Sequence, residues 1–290
     1  MRKLAASIVI AWAASVNVVS AQQAPTPGWT PGPTVGTLGH RATIAVPEGY
    51  FFLDQVATKR FLEENQNIPD GDEVGTLVRM RPGTEDYWFA VFSYSDVGHI
   101  KDDDKDSIDA AALMKTMQEG SREANAERQK RGWTPLTLEG WHQPPFYDAS
   151  THNLTWATRL NSEGERVINH SIRLLGRTGL MSAQLVADPA SVDVSIAEFD
   201  QVLTSYAFTE GSRYAEFRPG DKLAAYGLTA LIAGGAGAAA VKTGLFKKFW
   251  KLLVFAAVAV IGGLRKFFSG GGTPERAERP IPVVPTGPRA

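Results

Sequence analysis

The sequence predicts an α+β fold: an antiparallel sheet covered by a few helices, followed by a C-terminal transmembrane helical hairpin. Two patterns support this prediction. Short segments rich in apolar residues alternate with turn sequences containing Gly, Pro, Asn or Asp, as in antiparallel sheets. Near the C-terminus, residues 223–241 and 252–264 form two apolar runs without charge, and a lysine-rich connector joins them.

The N-terminal residues 1–21 have the features of a secretory signal peptide. Arg2 and Lys3 precede an apolar stretch, and Val19-Ser20-Ala21 suits a signal peptidase. The alternative is an N-terminal membrane helix that is retained. Residues 22–39 are rich in Pro and Gly, which predicts a linker. The exported α+β domain is expected over residues 40–214.

Within this domain, the pattern predicts an alternation of short strands with three helices. The strand at 87–95 is apolar on both faces, so we expect it to be central and covered on both sides. Asp54, Asp106 and Asp188 are the expected N-caps. The predicted strands are 43–46, 50–53, 74–80, 87–95, 136–141, 154–160, 166–175 and 180–187, and the predicted helices are 55–65, 107–131 and one starting at Asp188-Pro189.

The predicted membrane anchor covers residues 222–268. Nineteen residues at about 1.5 Å per residue, in 223–241, match the thickness of a bilayer core. The second run is short, so its span is extended with flanking aromatic residues to 249–266. The alternative is one span followed by an interfacial helix. Residues 269–290 lack an apolar pattern, which predicts a disordered tail.

The distribution of charge along the chain predicts where the protein is located in the cell. The net charge of the chain is −1, yet residues 222–290 contain ten Lys and Arg against two Glu, so the preceding domain is acidic. This argues against nucleic acid as a partner. A basic connector inside the cytoplasm satisfies the positive-inside rule. We therefore expect the cytoplasmic (inner) membrane, with the main domain on the periplasmic side. The expected partners are the lipid bilayer and a possible membrane or envelope protein.

Catalytic motifs are missing from the sequence. It contains no His-Glu-x-x-His, Gly-x-Ser-x-Gly or phosphate-loop pattern. The absence of cysteine excludes disulfides, thiolate metal sites and a cysteine nucleophile. We expect no cofactor. The missing motifs favour a protein that is not an enzyme, although they leave the question open.

An acidic segment supplies candidate metal ligands. Alternating aspartates resemble the start of a calcium loop, but Ser107 and Leu113 stand where the EF-hand needs Gly and Glu. A non-standard cation site remains open, and the alternative is a solvated loop that caps the following helix. The candidates are His99, Asp102, Asp104 and Asp106.

A second candidate site combines prolines with aromatic residues. Rigid prolines, aromatic rings and a polar tip are typical of a surface that binds a ligand or partner. The alternative is an edge segment whose aromatic side chains complete the core. The candidate binding residues are Trp141, His142, Pro145, Tyr147, Asp148 and Trp156.

An ordered set of short segments resembles a bacterial family of predicted membrane-anchored proteins of unknown function. The segments are 94–104, 108–110, 140–141, Pro145, 147–148, 154–157 and 175–179, then the Gly/Ala-rich run and Lys-Phe-Trp-Lys at 248–251. The resemblance covers most of the chain after the signal peptide. It implies an exported domain with a C-terminal anchor, and it transfers no catalytic or binding residue.

The sequence therefore predicts a membrane-anchored envelope protein, a non-enzymatic binding or scaffold module that faces the periplasm. Two alternatives stay open. One is a metal-dependent hydrolase that uses His99 and the aspartates at 102–106. The other is an accessory subunit of a membrane complex, held through the small residues Ala230, Gly234 and Ala238 of the first apolar run.

Overall fold

The computed structural model describes residues 28–65, 67, 69–80, 87–130 and 132–232. The predicted signal peptide, residues 233–241 of the first apolar run, the second run and the C-terminal tail lie outside this part. In chain order, the described elements are β1 (Trp29–Pro31), β2 (Thr34–Leu38), β3 (Ala42–Val46), β4 (Tyr50–Leu53), α1 (Gln55–Glu64), β5 (Glu73–Met80), β6 (Tyr87–Ser95), α2 (Ala110–Lys130), β7 (Thr137–Asp148), β8 (Asn153–Ser162), β9 (Glu165–Leu175), β10 (Leu180–Ala187), α3 (Val192–Leu203), β11 (Ala207–Phe208) and α4 (Leu228–Ile232).

The main sheet has eight strands in the order β1-β4-β5-β6-β10-β9-β8-β7, and a small sheet has the order β11-β3-β2. Every pairing in both sheets is antiparallel. The predicted α+β class with an antiparallel sheet is therefore confirmed. The three consecutive strands predicted between residues 154 and 187 are β8, β9 and β10, which are neighbours in the sheet.

The main sheet is buried on both faces. One face packs under the three helices α1, α2 and α4, and the other packs under the small sheet and α3. On the first face the buried residues include Phe61, Leu62, Val78, Phe89, Leu113, Met117, Trp156, Leu228 and Ile232. On the second they include Leu38, Ile44, Phe52, Leu77, Trp88, Phe92, Val192 and Phe199. Strand β6 contributes to both cores, which confirms its predicted central place.

The N-terminal boundary of the domain differs from the prediction. Residues 29–38, expected in the linker, form β1 and β2, which pair with β4 and β3. The Trp29 ring anchors β1, because its centroid lies 6.0 Å from that of Phe51 and 6.2 Å from that of Phe61. Proline is compatible with β1 because this is an edge strand, where a missing N–H breaks no ladder.

Two helices start later than predicted. Helix α2 begins at Ala110, and Asp109 accepts hydrogen bonds from the N–H groups of Ala111 and Ala112, at 2.9 and 3.0 Å. Asp109 therefore takes the role expected of Asp106. Helix α3 begins at Val192. Asp188 accepts from Ala190 N–H at 2.7 Å and closes a turn before the helix.

The C-terminal boundary also differs, because the folded domain continues past Tyr214. Helix α4 begins at Leu228, inside the first apolar run, and Leu228, Leu231 and Ile232 are buried against the main sheet. Within the described ranges, none of the helices combines the length and hydrophobicity that a membrane crossing requires. The predicted hairpin otherwise falls on residues outside these ranges.

Candidate functional site

Four aromatic rings stack where the segment after β6 meets the chain that leads to α4. Tyr214 lies between His152 and His99, with centroid distances of 4.1 and 4.4 Å. Phe217 covers the other face of His99 at 4.2 Å. We call these four residues the ring stack. The Tyr214 hydroxyl donates to the carbonyl of Ile100 at 2.9 Å, which fixes the middle ring.

Tyr147 joins the ring stack to the acidic segment. Its hydroxyl donates to Asp102 Oδ2 at 3.0 Å and lies 3.2 Å from His152 Nδ1. Burial and the hydrogen bond to Asp102 raise the pKa of Tyr147, so the phenol stays protonated and acts as a donor. One predicted binding residue and one predicted metal ligand thus meet in a single contact.

His99 is held by its backbone as well as by its ring. Its N–H donates to the Lys222 carbonyl at 2.8 Å, and its carbonyl accepts from Ala224 N–H at 2.9 Å. This close contact between the two backbone segments requires glycine at position 98, where φ is +100° and a Cβ would lie 2.7 Å from the Leu223 backbone. Burial lowers the pKa of His99, opposed by the carbonyls of Arg177 and Gly176, so the ring is neutral near pH 7.

Asp104 caps helix α4. Its Oδ1 accepts from Leu228 N–H at 2.9 Å, and its Oδ2 accepts from Thr229 N–H at 3.0 Å and from the Thr229 hydroxyl. Burial raises the pKa of Asp104, but these hydrogen bonds outweigh it and leave the pKa below its ordinary value. Both carboxylate oxygens are therefore used to start the helix.

A bidentate ion pair joins the turn after β9 to the segment that precedes α4. Arg177, in the turn after β9, donates from Nε and one terminal nitrogen to Asp221 at 2.7 and 2.8 Å. The Arg177 guanidinium and the N–H of Arg218 lower the pKa of Asp221 to about 2. The pair stays charged over the physiological pH range.

Most of the remaining candidate binding residues stabilise strand β7, one of the two edge strands of the main sheet. Trp141 Nε1 donates to the Ala110 carbonyl at 2.9 Å, which ties β7 to α2. Trp156, on β8, is buried. Asp148 accepts from Ser150 and Thr151 and closes the β7–β8 turn.

The outer part of β7 faces solvent. His142 Nε2 lies 3.7 Å from Asp193 Oδ1, at the start of α3. Pro145 lies in an irregular stretch of the β7–β8 register, between Gln143 and Phe146. Phe146 is 62% exposed. Phe146 belongs to the run of prolines and aromatic residues that the sequence indicates as a candidate surface, although it is not one of the six candidate binding residues.

The four candidate metal ligands have different surroundings. His99 lies in the ring stack, Asp102 bonds Tyr147, Asp104 caps α4, and Asp106 is exposed in a short 3-10 turn. No group of three His, Asp or Glu side chains suited to a metal ion occurs in the part of the chain that the structure describes. The metal site stays a prediction.

Four residues at the site were missed by sequence reasoning: Tyr214, Phe217, Arg177 and Asp221. They lie in turns and in a segment without the periodicity of a strand or a helix. No residue pattern in the sequence therefore indicates that they belong to the site. The nearest signal is the pair of aromatic residues, Tyr214 and Phe217, that follows the last predicted helix without continuing its apolar face.

A family profile described as "Protein of unknown function (DUF2167)" matches residues 31–265. A search of curated proteins finds no match. Three solved structures are similar at a low level. They are cyanobacterial PsbP (CyanoP) from Synechocystis sp. PCC 6803 (12% identity, 66% of this chain and 99% of that chain, TM-score 0.37), the Saccharomyces cerevisiae Ran-binding protein Mog1p (10%, 64% and 100%, 0.31) and the immunity protein TplEi from Pseudomonas aeruginosa (10%, 62% and 98%, 0.28). At these TM-scores no inference about this chain rests on them.

Proposed function

We propose that this chain, which belongs to the family of proteins of unknown function DUF2167, is a membrane-anchored envelope protein. In this proposal the α+β domain faces the periplasm and acts as a non-enzymatic binding or scaffold module. The apolar residues that follow α4 supply the anchor in the cytoplasmic membrane.

The observation that supports this proposal is the way residues 209–232, which we call the junction segment, dock onto the domain. The segment supplies Tyr214 and Phe217 to the ring stack, Asp221 to the ion pair with Arg177, and α4 to the Asp104 cap. The beginning of the first apolar run, residues 223–232, is thus docked onto the domain. A domain joined to its anchor in this way has a fixed orientation, which lowers the entropy cost of binding a partner.

The proposed binding surface is the outer edge of β7. An edge strand presents unpaired backbone groups to a partner. Pro144 and Pro145 restrict the backbone there, while Trp141 and Tyr147 hold the strand to α2 and to Asp102. The exposed Phe146 ring is the apolar contact of this rigid edge.

Cell fractionation tests the proposed location of the protein in the membrane. The full-length protein, expressed in a Gram-negative host, is expected in the membrane pellet after carbonate extraction. Protease added to spheroplasts is expected to digest the domain while a cytoplasmic control protein stays intact. A soluble protein, or a domain protected in intact spheroplasts, contradicts the proposal.

Site-specific photocrosslinking tests the binding surface. A photoreactive residue at Phe146 is expected to give one dominant protein adduct in native membranes. The matched control is Val56 on α1, which is 69% exposed on another surface. Equal adducts at both positions, or none at Phe146, contradict a binding role for β7.

The metal-dependent hydrolase remains the alternative, and the Asp104 cap argues against it because both carboxylate oxygens already accept hydrogen bonds. A titration of the full-length protein in detergent with Ca²⁺, Mg²⁺, Mn²⁺ and Zn²⁺ separates the two. Tight, stoichiometric binding that is lost in Asp102→Ala and Asp104→Ala favours the enzyme. The accessory-subunit alternative rests on Ala230, Gly234 and Ala238; Ala230 lies in α4, and the other two lie outside the described residues.

A further inference from the structure

Arg173 is a buried cation on β9, under the helices that cover the main sheet. The side chain is 4% exposed. Its guanidinium lies 4.7 Å from the centre of the Trp156 ring, and one nitrogen donates to the neighbouring Ile172 carbonyl at 3.3 Å. No carboxylate of the described residues forms a salt bridge with Arg173 within 4.0 Å.

A buried charge without a counterion is costly, because burial removes its hydration. Burial lowers the pKa of Arg173 to about 10, so the guanidinium nevertheless remains charged near pH 7. Cation–π contact with Trp156 offsets part of this cost. Among the described residues, the Arg173 guanidinium donates one hydrogen bond, to the Ile172 carbonyl.

Two serines extend from Arg173 across the same face of the sheet. Ser182 on β10 is the direct partner of Arg173, and Ser93 on β6 is the direct partner of Ser182. Directly opposite residues have Cβ atoms about 5 Å apart. Ser182 is 4% exposed, and its hydroxyl has no hydrogen-bond partner among the described residues. A cation and an unpaired hydroxyl therefore lie side by side in the interior.

The junction segment packs against the core on this face of the sheet. Tyr226 and Ala224 pack against the core that contains Trp156. The electrostatic influence of Arg173 partly offsets the burial that raises the pKa of Tyr226 to about 12. Tyr226 also lines an open surface pocket of about 370 Å³, together with Lys101, Asp103, Asp104 and residues 223–227. Tyr226 is thus both close enough to Arg173 to feel its charge and part of the wall of this pocket.

We propose that Arg173 and Ser182 form an oxyanion-binding site beneath the junction segment. The ligand class is a phosphate or carboxylate group, because a guanidinium and a neighbouring hydroxyl donate to such oxygens in a fixed geometry. The Trp156 ring contacts the guanidinium of Arg173 through a cation–π interaction. Movement of Tyr226 opens the path from the surface pocket. This site goes beyond the proposed function and does not depend on the proposed membrane localisation.

The test uses full-length protein in an uncharged detergent, with inorganic phosphate and acetate as probes at constant ionic strength. One of the two anions is expected to raise the unfolding temperature in a saturable manner, since a ligand that binds the folded state stabilises it. Isothermal titration gives the Kd. Ser182→Ala is expected to raise this Kd by about tenfold, the effect of losing one hydrogen bond to a charged group.

The matched control is Ser195→Ala on α3, which removes a fully buried serine hydroxyl that also has no hydrogen-bond partner within the described part of the chain but faces the other core. It is expected to leave the Kd unchanged. Arg173→Gln is expected to abolish binding, and Ser182→Ala decides the question if that variant does not fold. No saturable effect of either anion, or equal Kd values for Ser182→Ala and the wild type, overturns the proposal.

The source of the oxyanion is distinguished in nanodiscs. If a lipid headgroup occupies the site, the anion effect seen in detergent is lost in phosphatidylglycerol nanodiscs and retained in phosphatidylcholine nanodiscs. If the ligand is a free anion, the effect is retained in both. Either pattern supports the site, and loss of the effect in both kinds of nanodisc contradicts it.

Discussion

At the scale of single residues, two aspartates hold the junction segment through different physics. Asp104 satisfies backbone donors that the first turn of any helix leaves unpaired. Asp221 forms a charge-assisted, bidentate contact with Arg177. Both carboxylates have pKa values below their ordinary range because the folded state favours the charged form. Acid therefore weakens the junction segment before it affects the apolar core.

Asp104→Ala is expected to destabilise the protein by about 1–2 kcal/mol, the usual cost of losing an N-cap. The measurement is denaturant unfolding of the full-length protein, combined with hydrogen exchange at Leu228 and Thr229. Asp103→Ala is the matched control, because Asp103 is exposed and adjacent. Equal effects of the two substitutions would show that the cap contributes nothing.

Acid is expected to reduce stability through Asp221. Its folded-state pKa of about 2 lies below the ordinary value of 3.8. The stabilisation is therefore fully present above about pH 3.8 and is lost as the pH falls towards 2. In Asp221→Asn the unfolding midpoint should change less over this pH window than in the wild type. Parallel pH profiles would contradict the role of this carboxylate.

At the scale of elements, the ring stack joins parts that are distant in the sequence. His152 lies in the β7–β8 turn, His99 follows β6, and Tyr214 with Phe217 belongs to the junction segment. Strand β7 is braced at its end by the Tyr147–Asp102 contact. The proposed binding edge and the junction segment are therefore mechanically connected through the ring stack.

Two substitutions at Tyr214 separate its hydrogen bond from its ring contacts. Tyr214→Phe should cost about 1 kcal/mol, because only the bond to the Ile100 carbonyl is lost. Tyr214→Ala should cost about 2 kcal/mol more, since two ring contacts are worth about 0.5–1.5 kcal/mol each. Denaturant unfolding measures both variants. Equal losses would mean that the rings do not stabilise the junction segment.

At the scale of the whole molecule, the domain ends later than its strand and helix pattern suggests. Leu228, Leu231 and Ile232 are buried, and each such side chain contributes about 1.5–3 kcal/mol. Their sum is a large part of the 5–15 kcal/mol that usually stabilises a domain. The start of the first apolar run therefore belongs to the folded core.

Truncation tests this boundary. A chain of residues 22–232 is expected to unfold cooperatively and to remain monodisperse, whereas residues 22–222 should aggregate or unfold at a much lower temperature. Circular dichroism melting and size-exclusion chromatography measure both properties. If the shorter chain is as stable as the longer one, α4 is not part of the domain core.

Much of the sheet could be predicted because its signals are local. Apolar residues on both faces of 87–95 identified the central strand, and turn sequences located β8, β9 and β10. Proline content misled the prediction for residues 29–38, because edge pairing with β4 and the packing of Trp29 are tertiary effects. Of the candidate site, Tyr147 and Asp102 were named, but their contact was not predictable across 45 residues.

By itself the sequence determined the α+β class, the consecutive antiparallel strands and membership of a family of unknown function, because these follow from periodicity and residue pattern. It also predicts the export and anchoring proposed above. Only the tertiary structure decided that Asp104 is a helix cap, that Arg173 and Ser182 lie side by side, and that residues 215–232 belong to the domain. The physical reason is that these contacts join segments whose separation along the chain carries no local signal.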